Sequence, residues 1–259
     1  MFNVKAFIFF LFLCSSTLTV NAQKEFYQLK IYHIKTTAQE DKIDDFLAKA
    51  YLPALHKAGI AKVGVFKPVI VDDSTRVEKL IYVFIPFKAY AEMDKLATKL
   101  AKDETYKLAG KNYHEALYTA PPYERIEIIL LNAFETHPKF TMPQLSSPKQ
   151  SRIYELRSYE SHTEAIAKNK IEMFNKGDEI GLFKRLNFNA VFYGEVVAGS
   201  RMPNLMYLTT FENKADRDAH WKAFSADAYW KELSAKPNYK NNVLKNDTKF
   251  LYPTDYSDI

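Results

Sequence analysis

Polar and apolar residues alternate from Phe26 to Tyr32, the period of a half-buried strand. The period then changes. Ile43, Phe46, Leu47, Ala50, Ala54, Leu55 and Ala58 recur at helical spacing, Thr37-Ala38-Gln39-Glu40 ahead of them has the form of a capping box, and Gly59 fits the stop. Pro53 falls inside this pattern and predicts a kink or a break. Spans 62–71 and 78–85 read as strands joined by the loop Asp72-Asp73-Ser74-Thr75-Arg76. A helix over 90–100, a shorter helical piece around 104–108 and an isoleucine- and leucine-rich strand over 123–131 complete a first unit.

The same order returns further along. A strand over 152–159 is followed by the capping box Ser161-His162-Thr163-Glu164 and a helix burying Ile166, Met173, Phe174, Leu182 and Phe183, which Gly177 and Gly181 should interrupt. Strands over 189–197 and 205–211 flank Gly199-Ser200-Arg201-Met202-Pro203; helices over 215–224 and 229–233 and a strand over 243–252 close the second unit. Residue matches support a duplication. Tyr27-Gln28-Leu29-Lys30-Ile31-Tyr32 parallels Tyr154-Glu155-Leu156-Arg157-Ser158-Tyr159, Leu80-Ile81-Tyr82-Val83 parallels Leu205-Met206-Tyr207-Leu208, and Asp103-Glu104-Thr105-Tyr106-Lys107 parallels Asp227-Ala228-Tyr229-Trp230-Lys231. Residues 139–151, with Pro143, Pro148 and three serines, read as a linker between units 23–138 and 152–259.

Each unit is β-α-β-β-α-β, the ferredoxin-like arrangement, whose sheet carries helices on one face only. The open faces must be covered, and two copies can cover each other. The expected fold class is therefore α+β: two tandem ferredoxin-like repeats packed as an intramolecular dimeric α/β-barrel, with any cavity between the sheets.

Residues 1–22 stand apart. Lys5 precedes an apolar run from Ala6 to Cys14, and Val20-Asn21-Ala22 offers small residues before Gln23, the form of a cleaved signal peptide. The run is shorter than the roughly 20 residues that cross a bilayer, so no stable membrane insertion after cleavage and a periplasmic or extracellular location are expected. The one cysteine, Cys14, lies in this segment, which excludes disulfides and thiolate sites from residues 23 onward. A core must then supply the stability, and 47% hydrophobic and 15% aromatic content can do so. Without Lys5, 35 basic residues face 31 acidic ones, a net +4; the charges are interspersed, and no nucleic-acid partner is expected.

The second unit resembles a NIPSNAP domain. The resemblance rests on Tyr154-Glu155-Leu156-Arg157-Ser158-Tyr159, on Phe211-Glu212-Asn213, on the Trp221 helix with Asp227-Ala228-Tyr229-Trp230, and on Phe250-Leu251-Tyr252-Pro253-Thr254-Asp255-Tyr256-Ser257. The first unit is similar more loosely: Gln28 and Lys30 stand in place of the glutamate and arginine. The resemblance implies the dimeric α/β-barrel fold, whose superfamily holds cofactor-independent monooxygenases, haem enzymes, small lyases and non-catalytic members.

Strand alternation divides the first strand of each unit. Tyr27, Leu29 and Ile31 are assigned to the helices; Gln28, Lys30 and Tyr32, and in the second unit Glu155, Arg157 and Tyr159, are assigned to the inter-sheet space, with Tyr82 and Tyr207 as matching aromatics. A Glu–Arg pair on one strand face either bonds internally or holds a polar ligand. His33, His56, His114, His137, His162 and His220 form no metal motif, His220 being the least implausible ligand among them, and no nucleotide loop or nucleophile elbow occurs. Trp221 and Trp230 read as core or interface anchors. The reading is thus an exported module of uncertain catalytic status that binds a small organic ligand between its sheets, without metal or cofactor, and with homo-oligomer formation open. The alternatives are a cofactor-independent monooxygenase or lyase acting on an aromatic or polyketide-like compound, and a protein-interaction module.

Overall fold

The computed structural model describes residues 23–69 and 79–259; the segment 1–22 expected to be a signal peptide and the 72–76 loop lie outside them. Strand β1 (Phe26–His33) leads into α1 (Thr37–Phe46), a π-helical turn (Leu47–Tyr51) and α2 (Leu52–Lys57). Strands β2 (Gly64–Pro68) and β3 (Leu80–Phe87) follow, then α3 (Tyr90–Ala101), α4 (Glu104–Ala109), α5 (Lys111–His114) and β4 (Arg125–Ala133). The second half runs β5 (Ile153–Glu160), α6 (Glu164–Asn175), α7 (Glu179–Arg185), β6 (Phe192–Ala198), β7 (Asn204–Phe211), α8 (Lys214–Ala226), α9 (Ala228–Ala235) and β8 (Lys245–Pro253). No helix among the described residues is long and apolar enough to cross a membrane.

The eight strands close into one antiparallel barrel in the order β1-β3-β2-β8-β5-β7-β6-β4. Within a half, β1 and β5 each run beside two partners over seven or eight residue pairs. The halves meet at two shorter seams. Phe66, Lys67 and Pro68 of β2 face Pro253, Tyr252 and Leu251 of β8, and β4 pairs with β6 around an irregularity at Leu130/Leu131. The sheet faces therefore meet within one chain.

The lumen is a packed core. Tyr27, Leu29, Phe66, Phe84, Tyr154 and Phe192 are buried there, and the Phe84 and Phe192 rings stack with centroids 4.8 Å apart. Such ring pairs add about 0.5–1.5 kcal/mol beyond the area they bury. Two further cores lie under the helices, one around Phe46, Tyr51 and Leu55, the other around Phe174, Phe183 and Phe224.

Local signals were displaced by one or two residues. The first cap is Thr36, not Thr37: its hydroxyl accepts from Gln39 N, while Gln39 Oε1 accepts from the Thr36 amide. The second is Thr163, because the Ser161 hydroxyl donates instead to the Asn242 carbonyl. Pro53 does not break its helix. The preceding π-helical turn absorbs the mismatch, and Pro53 falls in the first turn of α2, where a missing N–H is tolerated. The interruption near Gly177 occurs at Asp178, whose left-handed backbone (φ 53°) separates α6 from α7. The linker is pinned: amides of Ser146 and Ser147 donate to Glu212 at 2.9 and 2.7 Å, and the two serines hold that carboxyl down to about 2.

Candidate ligand site

The face assignment made from alternation is inverted. Tyr27, Leu29 and Ile31 fill the barrel, while Tyr32 packs in the core under the first helices, so Gln28 and Lys30, which alternate with the lumen set, share its side. In the second half Tyr154 and Leu156 face the lumen, and Glu155, Arg157 and Tyr159 face α6 and α8. Both faces of β1 and β5 are covered, so apolarity could not tell one side from the other. Tyr82 and Tyr207 do not match either. Tyr82 stands opposite Ile31 and enters the lumen, whereas Tyr207 stands opposite Arg157 and faces the helices, one residue out of register.

Four of the eight candidates form a single network. Glu155 is fully buried and accepts four hydrogen bonds: from Arg157 Nε at 2.8 Å, from Arg217 Nε and Nη2 at 2.8 and 2.7 Å, and from Trp221 Nε1 at 2.7 Å. Burial alone would raise its pKa; the bonds from Arg217 and the charges of both arginines outweigh that and hold it below the usual carboxylate value. Arg157 Nη1 donates to the Tyr159 hydroxyl at 2.9 Å, which lies 2.8 Å from the Tyr207 hydroxyl. The Arg157 guanidinium also stacks over Trp221, 4.0 Å from its centroid. Trp221 is thus a binding group as well as the anchor it was expected to be.

Arg157 and Tyr159 line a pocket of about 480 Å³ between the second-half sheet and its helices. Trp221, Phe224, Trp230 and Tyr239 supply aromatic walls, and Ser225, Ser234, Asn242 and Asn246 add polar points. Lys170 of α6 and Glu179 of α7 also line it; their side chains are 5% and 3% exposed and pair at 2.8 Å. Sequence reasoning missed this pair and Arg217. Lys170 had a signal: it sits four residues after Ile166 and three before Met173, a slot in the apolar stripe. Arg217 also pairs with Asp218 at 3.1 Å, so Arg157, Arg217 and Lys170 face three carboxylates, Glu155, Glu179 and Asp218.

The family model for NIPSNAP matches residues 154–258. The second half is thus similar to a NIPSNAP domain. The matched span contains every member of the Glu155 network and every residue that lines the pocket. Among solved structures, a putative monooxygenase from Lactobacillus acidophilus is similar, at 13% identity and a TM-score of 0.55, over 89% of this chain and 94% of that one. A putative monooxygenase from Fusobacterium nucleatum gives 8% identity and a TM-score of 0.56, over 89% and 92%. These likenesses establish the α+β barrel fold shared with dimeric α/β-barrel proteins. A comparison with curated proteins found no match.

In the first half, the places corresponding to the NIPSNAP-like network are occupied differently. Gln28 replaces Glu155, and Lys30 lies 5.0 Å from the Tyr32 ring centroid and 5.3 Å from that of Tyr51. Burial lowers the Lys30 pKa to about 8. His220 belongs to no group of three or more metal-ligating side chains among the described residues; its Nδ1 lies 2.8 Å from the Asp216 carbonyl and its ring packs on Phe188 and Phe211.

Proposed function

We propose that the protein is a binding module for a small aromatic anion, a carboxylate or phenolate, held by Arg157 in the pocket of the NIPSNAP-like half. The observation that carries this is the Arg157 guanidinium. It is stacked on Trp221, oriented by Glu155 and Tyr159, and set at the edge of an aromatic-walled pocket. This location replaces the inter-sheet one expected from alternation. The two halves are taken as repeats of one ferredoxin-like unit, which the matching strand orders β4-β1-β3-β2 and β8-β5-β7-β6 support.

Binding is favoured over catalysis by the state of the acid–base groups. All four acceptor positions of Glu155 are occupied, so it orients arginines rather than abstracting protons. Burial pushes the Tyr207 phenol well above its usual range, so it stays neutral. Titration of benzoate, salicylate and 4-hydroxybenzoate against tryptophan fluorescence is the test. Saturable quenching is expected, and Arg157→Gln should weaken it about 10- to 100-fold, the worth of a charged hydrogen bond. Equal binding by the variant rejects the role of Arg157. Oxygen uptake with the phenol would turn the reading toward the monooxygenase alternative.

Residues 1–22 are read as a signal peptide cleaved on export to the periplasm or beyond. Protein recovered from the exported fraction should begin at Gln23 when its N-terminus is sequenced; a chain still beginning at Met1 overturns this.

A further inference from the structure

The Phe84–Phe192 stack fills part of the barrel, and a cavity lies at one mouth. This cavity of about 180 Å³ is lined by residues of seven of the eight strands, β2 excepted. Its floor is mostly apolar, from Ile31, Tyr82, Ile129, Leu156, Val196 and Met206, with Ser158 and Asn204, hydrogen-bonded to each other, among them. Its rim is ionic. Arg201 pairs with Asp247 at 2.6 Å, Lys249 lies 3.5 Å from the same carboxylate, and Glu127 accepts from Ser200 at 2.6 Å. Arg125 Nη2 lies 3.2 Å from the His33 ring and makes no ion pair with a described residue. Among the described residues that line it, the rim therefore carries three fixed cations, Arg125, Arg201 and Lys249, against two carboxylates, Glu127 and Asp247.

We infer that this mouth is a second ligand site, separate from the Arg157 pocket, and that it takes a short aliphatic carboxylate with its chain in the cup and its head at Arg125. Three features argue for that class. A mostly apolar void inside a barrel otherwise filled with rings forfeits contacts that a hydrocarbon chain would restore. The surplus charge at the rim matches one carboxylate. The floor residues close the cup, so it has a fixed depth and should discriminate by chain length. At roughly 30 Å³ per water-sized unit, the cavity accommodates about six such units.

The test is calorimetric titration of the full chain with straight-chain carboxylates from acetate to dodecanoate. Affinity should rise about fourfold per methylene, the worth of a buried CH₂, and level off near six carbons. Arg125→Gln should weaken hexanoate binding about tenfold and leave 1-hexanol binding unchanged. Val196→Phe should fill the cup and abolish the chain-length dependence; Met206→Phe serves the same end if that variant does not fold. Arg157→Gln should leave the whole series unchanged, which separates this site from the one proposed above. Absence of saturable binding, a rise that continues unbroken to dodecanoate, or a series sensitive to Arg157 and indifferent to Arg125 overturns the inference.

Discussion

Glu179→Ala is expected to lower the unfolding free energy by about 3–5 kcal/mol, the largest single loss foreseen for a side chain of the pocket. The reason lies in what it leaves behind. Lys170 is 4% exposed, and its ammonium sits over the Phe174 ring at 4.7 Å and is 3.4 Å from Met173 Sδ. None of these contacts supplies a negative charge, so the ammonium would be left buried without a charged partner. Replacing both partners should be far milder, since a buried ion pair is often no more stabilising than apolar groups of similar volume. Lys170→Met with Glu179→Leu is thus expected to recover most of the loss. Urea unfolding of the wild type, the single variant and the double variant checks this. A single variant within about 1 kcal/mol of wild type would mean that the pair is not load sharing between α6 and α7.

Glu155→Ala should cost about 3 kcal/mol, toward the lower end because the side chains of Arg157 and Arg217 remain 15% and 16% exposed and can reach water. The loss has a pH signature. The folded carboxyl titrates below its ordinary value of 4.5, so the unfolded chain binds the proton more readily. The stabilisation is complete above about pH 4.5 and disappears as the pH falls through the folded pKa. The difference in stability between wild type and Glu155→Gln should therefore be flat from pH 5 to 8 and shrink below 4.5. A difference that grows on acidification would contradict the assignment of Glu155 as an ionised hub. The same variant should loosen the Arg157–Trp221 stack and weaken aromatic-anion binding alongside stability.

The succession of strands and helices was legible because it depends on local period and on glycine and proline punctuation. The resemblance of residues 154–258 was legible for a similar reason, as its motifs are short and ordered along the chain. The direction in which each strand faces was not. Alternation reveals two sets of side chains, and naming the buried one needs the other to be exposed. In β5, Leu156 enters one core while Glu155, fully buried, is enclosed on the opposite side. Glu155 and Arg157 were singled out as a charged pair on one strand face, and they are bonded at 2.8 Å. Arg217 and Trp221, which complete their environment, lie some sixty residues away on α8, and no short-range pattern could connect them. The Lys170–Glu179 pair escaped because Glu179, beside Asp178 at a helix start, looks like an exposed first-turn acid.

Closing the barrel within one chain has a consequence for what its two halves can become. In a two-fold symmetric dimer each residue appears twice, so a change that improves one binding face is imposed on the other and on the shared seam. Here the two halves are joined covalently and can differ. One half keeps Glu155, Arg157 and Trp221 as a polar apparatus; the other holds Gln28 and a lysine among tyrosines in the corresponding places. Joining the halves releases them from symmetry, so a change in one is not imposed on the other.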